Sequence, residues 1–265
     1  MTDVDWTRRA ELADLLRASR ARLARPAIPG ARRRGLRQED VASLAGLSLR
    51  RYAAFERGEF VAPPRMIDQI AVALQMPDAE RSALHVLAAE QDPPRPVSRP
   101  SGVTPARLSG ALRELVSHMD PYPAALTDET WTVLHHNEAM DTWSGGWYSA
   151  ADAADRHLVA YLFSENAEVF LPDVHAIRRT LVATLRYQYT RNLSPRFRGI
   201  IDRLTAGSPE AAELWARHEV AFAPHEYAAR LRADGGIVNA HVLFTPLSPR
   251  LWSFTMILPP SIRVP

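Results

Sequence analysis

Hydrophobic positions recur at helical spacing through the first ninety or so residues and switch to alternation near the end of the chain. Leu12, Leu15, Leu16, Ser19 and Leu23 repeat at intervals of three and four, predicting a first helix from about Asp5 to Ala24, ended by Pro26, Pro29 and Gly30. Val41, Leu44 and Ala45 form a second stripe behind the acidic pair Glu39-Asp40, which suits a helix N-terminus. Tyr52 and Phe55 lie three apart and predict a third helix capped by Ser48 and stopped at Gly58. Only Gly46-Leu47-Ser48 separates the second from the third, the spacing of a helix-turn-helix. Met66, Ile67, Ile70, Val72, Ala73 and Leu74 mark a fourth helix after Pro63-Pro64, and Leu84, Val86, Leu87 and Ala88 a fifth.

Asp92 to Pro105 holds five prolines, so it is expected to be an extended linker. This gives a first domain over 1–92, a linker over 93–105 and a second domain over 106–265. Thr104-Pro105 starts a helix with Leu108, Leu112, Leu115, Val116 and Met119 inward. Pro123 to Thr127 and Trp131 to His135 predict a β-hairpin, and Asn137 opens a helix toward Met140 and Trp143. Val174, Ile177, Leu181, Leu185 and Tyr189 mark a long amphipathic helix; Ser194-Pro195 and Ser208-Pro209 each start another. Val238, Ala240, Val242 and Phe244 alternate with Ile237, Asn239, His241 and Leu243, and Trp252, Phe254, Met256 and Leu258 with Leu251, Ser253, Thr255 and Ile257. With Tyr227 to Arg232 as a further strand, these predict an antiparallel sheet with helices on one face. The fold class is α+β: an all-α domain of about five helices, then a helix-covered antiparallel sheet.

Charge changes the picture for the first domain. From Arg8 to Arg65, 14 arginines face six acidic residues, a local excess of eight positive charges on a chain of net charge +2. Such a field suits phosphate binding through counterion release. Leu49, Arg50 and Arg51 fall at the exposed start of the second helix of the pair, where base-reading side chains sit, and arginine is the commonest reader of guanine edges. The run Arg32, Arg33, Arg34 could lie along a phosphate backbone or be a solvated loop.

The chain has no cysteine and no lysine, which excludes thiolate metal sites, cysteine nucleophiles and Schiff-base chemistry. No hydrolase nucleophile motif, zinc-protease motif or phosphate-cradling glycine loop occurs, so the chain is expected not to be an enzyme, with no catalytic residue and no cofactor. His135-His136, His218-Glu219, His225-Glu226 and His241 could bind a metal only by converging, and ordinary hydrogen-bonded histidines are preferred. No apolar run approaches the roughly 20 residues that span a bilayer, and the N-terminus lacks a signal-peptide core, so a soluble cytoplasmic protein is expected. The aromatic residues of the second half can line an apolar pocket or fill a core.

The stretch GLRQEDVASLAGLSLRRYAAFERG resembles the helix-turn-helix of the xenobiotic-response-element type of bacterial regulators. With LADLLRASRARL, ARRRGLR and LWARHEV, it points to the MmyB-like branch. That resemblance implies a PAS-like second domain enclosing a small apolar molecule such as a fatty acid. It also implies that Gln38 contacts phosphate and braces the recognition helix, and that Glu56 makes an internal ion pair with Arg20. The combined reading is a sequence-specific transcriptional regulator, a homodimer on a palindromic double-stranded DNA operator. Gln38, Ser48, Leu49, Arg50, Arg51, Arg57, Arg32, Arg33 and Arg34 face DNA; Trp143, Tyr161, Phe163, Trp215, Arg217, His218 and Phe254 face the ligand. The alternative is a ligand-independent DNA-binding scaffold whose second domain dimerises or recruits a protein.

Overall fold

The computed structural model describes residues 3–23, 35–88, 108–152, 156–223, 226–233, 236–248 and 251–257. The expected linker over 93–105, the helix start at Thr104-Pro105, the run Arg32 to Arg34 and His225 lie outside the described residues. The chain forms two compact units: Met1–Val97 with Ala183–Phe222, and Ser98–Val182 with Ala223–Pro265. Residues 183–222 therefore group with the N-terminal helices, although their sequence position follows the Pro-rich stretch.

The first unit is helical. Its N-terminal part contains α1 (Asp3–Arg22), α2 (Gln38–Leu44), α3 (Leu49–Glu56), α4 (Pro64–Ala73) and α5 (Asp78–Ala88). Ser48 accepts a hydrogen bond from Arg51 N at 3.3 Å, and Asp40 accepts one from Arg37 N at 2.7 Å, satisfying free amides at the starts of α3 and α2. Gly46 turns the chain between them with φ of 66°, a left-handed conformation that side chains other than glycine's rarely adopt. Leu15, Leu16, Val41, Tyr52, Phe55, Ile70 and Leu84 fill the core, joined by Tyr187 and Val220 from the later segment. Two expected core residues of this unit face out instead, as does Leu115 of the later Gly110–Ser117 helix, 51% exposed although expected inward. Leu44 is 64% exposed at the edge of a seven-residue helix, and Val72 is 71% exposed because it follows Ile70 by two positions, around the opposite side of α4.

The second unit starts with α6 (Gly110–Ser117), β1 (Ala124–Asp128) and β2 (Val133–His136). Short helices α7 (Glu138–Trp143), α8 (Trp147–Ala150), α9 (Leu158–Leu162) and α10 (Glu165–Phe170) follow, and then α11 (Val174–Arg191), whose first half belongs here and whose second half belongs to the first unit. Helices α12 (Pro195–Gly207) and α13 (Pro209–Ala216) complete the first unit, each opened by a serine cap and a proline. The chain then returns to the second unit as β3 (Glu226–Ala233), β4 (Gly236–Ser248) and β5 (Leu251–Ile257).

All five strands pair antiparallel in the order β2-β1-β5-β4-β3. Strands, helices and strands follow one another as the PAS-like reading requires. Register sets Phe244 opposite Phe254 and Val242 opposite Met256, placing their side chains on one face. The expectation of helices on one face alone needs correction. Val116 of α6 packs with Leu126, Leu134 and Leu251 on the other face, so β1 is buried on both sides. Its Ala-Ala-Leu run carries apolar residues at consecutive positions, which suits a doubly covered strand.

Candidate DNA-reading helix and ligand cavity

The start of α3 presents Ser48, Leu49, Arg50 and Arg51 to solvent, with Leu49 49% exposed. Tyr52 and Phe55 anchor the opposite side and are fully buried. The Arg51 guanidinium lies 6.0 Å from the Phe60 ring, a contact weak enough for the side chain to leave. Arg57 pairs with Glu59 through two hydrogen bonds of 2.5 and 3.0 Å; both partners are exposed, so the pair is cheaply exchanged for a phosphate.

What holds α3 in place is a set of buried ion pairs. Glu56, 3% exposed, receives Nε and Nη2 of Arg20 at 3.0 and 2.8 Å, the fork geometry that fixes a carboxylate in orientation as well as position. Gln38 Nε2 donates to the same carboxylate at 3.1 Å, tying α2 to α3. Arg20 also donates to Leu36 O at 3.0 Å. Nearby, Glu80 accepts from Ser19 Oγ at 3.2 Å and pairs with Arg22; burial pushes its carboxyl above the usual range and Arg22 opposes the shift.

A further pair lies deeper. Arg186 donates to Glu11 at 2.9 Å and to Trp215 O at 2.5 Å, with its guanidinium 3.7 Å from the Trp215 ring centroid. Burial pushes Glu11 up and Arg186 down to about 10, and the attraction between the two opposes both shifts. His218, at a positive φ of 52°, has its imidazole pushed down to about 4 by burial and by Arg186, so it is neutral.

The second unit holds the cavity, about 630 Å³ of space free of protein atoms, part of it open to solvent. Tyr227, Ala229 and Leu231 of β3, Val242 and Phe244 of β4, and Phe254 and Met256 of β5 form its floor. Helices α7 to α11 roof it with Met140, Trp143, Tyr148, Leu158, Tyr161, Leu162, Phe170, Ile177 and Leu181. The lining has the usual character of a small-molecule site: apolar, with few polar groups.

Several polar bonds fix the roof. Asn137 accepts from Met140 N and Ala124 N, both at 3.0 Å, and donates to Tyr122 O at 2.9 Å, fastening the start of α7 to the edge of β1. Gly145 and Gly146 turn the chain into α8 with φ of 66° and 77°. Asn166 Nδ2 reaches the Gly145 carbonyl at 3.1 Å, and a β-carbon on Gly145 would stand 2.8 Å from that amide nitrogen. His157 Nε2 donates to Thr130 O at 2.6 Å while its Nδ1 accepts from Val159 N at 3.1 Å. These two bonds set the tautomer and seat α9. Nothing local in the sequence marks His157 or Asn166 for this scaffold, because the bonds to Thr130 and Gly145 span more than twenty positions of the chain.

Two lining residues carry polar atoms with no hydrogen-bond partner among the described residues: Trp143 Nε1 and Tyr148 Oη. Leaving such a group buried and unpaired costs about 1–3 kcal/mol. Burial raises the Tyr148 hydroxyl far above its ordinary range, and the neighbouring Tyr161 and Tyr227 hydroxyls reinforce the shift. Burial likewise raises Tyr161 and Tyr227, so all three phenols are neutral at physiological pH.

Of the residues expected at the ligand, Trp143, Tyr161 and Phe254 come together in this lining and four do not. Phe163 instead faces the Arg178 guanidinium at 5.1 Å. Trp215, Arg217 and His218 belong to the first unit, where Trp215 stacks under Arg186 and Arg217 pairs with Glu213 at 2.7 Å. Tyr148, Tyr227 and Phe244 also line the cavity, although the sequence does not single them out. The alternation of β4 puts Phe244 on one face with Val242, and the sheet register brings it beside Phe254. Among the described residues no group of three or more His, Asp or Glu is arranged to hold a metal ion, and no helix is long and apolar enough to cross a membrane.

Comparison with known families assigns both halves. A helix-turn-helix domain family matches residues 11–84, and the MmyB-like transcription regulator ligand binding domain matches residues 108–260. No curated protein matches the chain. The second match covers more than half the sequence and contains every residue of the cavity lining. The chain belongs to the MmyB-like family: it is a DNA-binding transcription regulator with a ligand-binding domain.

Proposed function

We propose that the protein is a cytoplasmic homodimer that binds a palindromic operator through α3 and alters that binding when a small apolar effector, of the kind a fatty-acid chain exemplifies, fills the cavity. The observation that carries the sensing part is the cavity itself, since a domain used only for dimerisation or recruitment needs a filled core. Arg50 and Arg51, with Ser48 and Leu49, read base edges; Gln38, Arg57 and the run Arg32, Arg33 and Arg34 meet phosphates. A helix of eight residues covers only one half-site, which favours a two-fold pair of chains on DNA.

Helix α11 offers a route for the signal. Ile177 and Leu181 line the cavity, and Arg186, five residues beyond Leu181 on the same helix, grips Glu11 of α1. The effector must prefer one setting of that helix, because a ligand with equal affinity for both states shifts nothing.

Selection of the full chain on a library of random duplexes tests the reading. A defined palindrome should emerge, with Arg50→Ala and Arg51→Ala each costing about 1–3 kcal/mol on the selected site and much less on unrelated DNA. Affinity for that site should then change on saturation with a cavity ligand. A selection without sequence preference, or an affinity indifferent to a bound ligand, would refute the proposal.

A further inference from the structure

We infer that the cavity takes an uncharged, mostly apolar molecule carrying a hydrogen-bond acceptor, such as an ester, ketone or lactone, rather than a carboxylate. The inference rests on the sensing role proposed above and narrows its ligand class.

Three observations lead to it. First, none of the described lining residues is ionised; the polar ones are Ser144, three neutral tyrosines and one indole. A carboxylate in such surroundings would lose its hydration without a cation to replace it. Second, the buried guanidinium of this unit is already engaged. Arg178 donates to Leu162 O at 2.7 Å and to Glu168 at 2.9 Å, and it does not line the cavity. Third, the unpaired donors sit on lining residues that are themselves at least nine-tenths buried. Trp143 is 5% exposed and offers an N–H that can only donate; Tyr148 is fully buried and offers an O–H.

The indole decides the polarity of the partner. An N–H without acceptor capacity needs a ligand oxygen or another lone pair, so a pure hydrocarbon leaves it unsatisfied. Tyr148 stands on the roof and Tyr227 on the floor, and both line the same space. One carbonyl group, with two lone pairs, can accept from either donor. The apolar remainder of the molecule then lies against Leu158, Leu231, Val242 and Phe254.

The test compares three probes of matched chain length, methyl decanoate, decanoate and undecane, titrated calorimetrically into the full chain at pH 7.5. The ester should bind about tenfold more tightly than the acid. Trp143→Phe and Tyr148→Phe together should weaken the ester at least about fivefold more than they weaken undecane. Tyr148→Phe alone removes one oxygen from a fully buried ring, and it serves as the variant whose fold is retained if the double variant does not fold. Decanoate binding as tightly as the ester, or an ester affinity unmoved by the substitutions, overturns the uncharged-ligand inference and leaves a sensing cavity standing. Failure of all three probes to bind overturns both.

Discussion

In the first unit the buried charges that anchor helices meet fitted partners: Arg20 with Glu56, Arg22 with Glu80, Arg186 with Glu11. In the cavity of the second unit there are no such charges, and two polar atoms meet nothing. Each ion pair joins α1 to a different partner helix, so the recognition helix is held by bonds that do not depend on a ligand. The cavity keeps donors free at some cost in stability, and that cost is recoverable when an acceptor enters. In the first unit the Tyr52 and Tyr189 hydroxyls and His218 Nδ1 also lack a fitted geometric partner; the two hydroxyls lie within electrostatic reach of Arg20 and Arg198, and none of the three residues lines this cavity. A fixed reader and an unfinished receptor thus coexist in one chain.

The largest break in this comparison is expected from Glu56→Ala. It strands the Arg20 guanidinium and frees Gln38, so chemical denaturation should show a loss of about 3–5 kcal/mol. A loss below about 1 kcal/mol would mean that the pair does not hold α3.

Arg186→Met comes next, at about 2–4 kcal/mol near neutral pH, because it leaves Glu11 buried without its cation. The sign with pH follows from Glu11 being raised in the folded state. There the folded protein binds more protons than the unfolded one, so the stability of the variant should fall as pH rises above the ordinary carboxylate range. Its deficit against the unchanged protein should therefore shrink on acidification, as measured by denaturation at several pH values.

A smaller effect belongs to His218. Its folded value near 4 lies below the ordinary value of about 6.5, so the unfolded chain takes up the proton first and stability drops as pH falls between them. Allowing for partial solvent screening, His218→Asn should remove about 1 kcal/mol of that acid loss. Asparagine tolerates the left-handed backbone at this position. The smallest change is expected from Tyr148→Phe. Deleting an unpaired hydroxyl should leave thermal stability within about 0.5 kcal/mol or raise it slightly, whereas a clear loss would show that the hydroxyl is already satisfied.

The first unit was largely legible because its signals are local. Serine caps, a turn glycine and stripes at three and four positions announce each helix, and the tie between Arg20 and Glu56 follows from the family motif. Leu44 and Val72 were misassigned because short helices bury a narrower arc than their apolar count suggests. The cavity was legible only in part. Trp143, Tyr161 and Phe254 stand out by aromatic character, while Tyr227, Ala229 and Leu231 become lining only through pairing with β4. Trp215, Arg217 and His218 mislead because a motif near a helix end does not reveal which core the helix joins. Residues 183–222 lie between two groups of sheet strands in sequence, but Tyr187 and Val220 join the core of the N-terminal helices.

The most direct test of a ligand-ready cavity is native mass spectrometry of the full chain beside Ala229→Phe, which fills the floor between Tyr227 and Leu231. The account expects the unchanged protein to retain or take up a small uncharged molecule, and the filled variant to bind about tenfold more weakly or not at all while keeping its circular dichroism spectrum. Equal occupancy in both proteins would place the ligand elsewhere and contradict it.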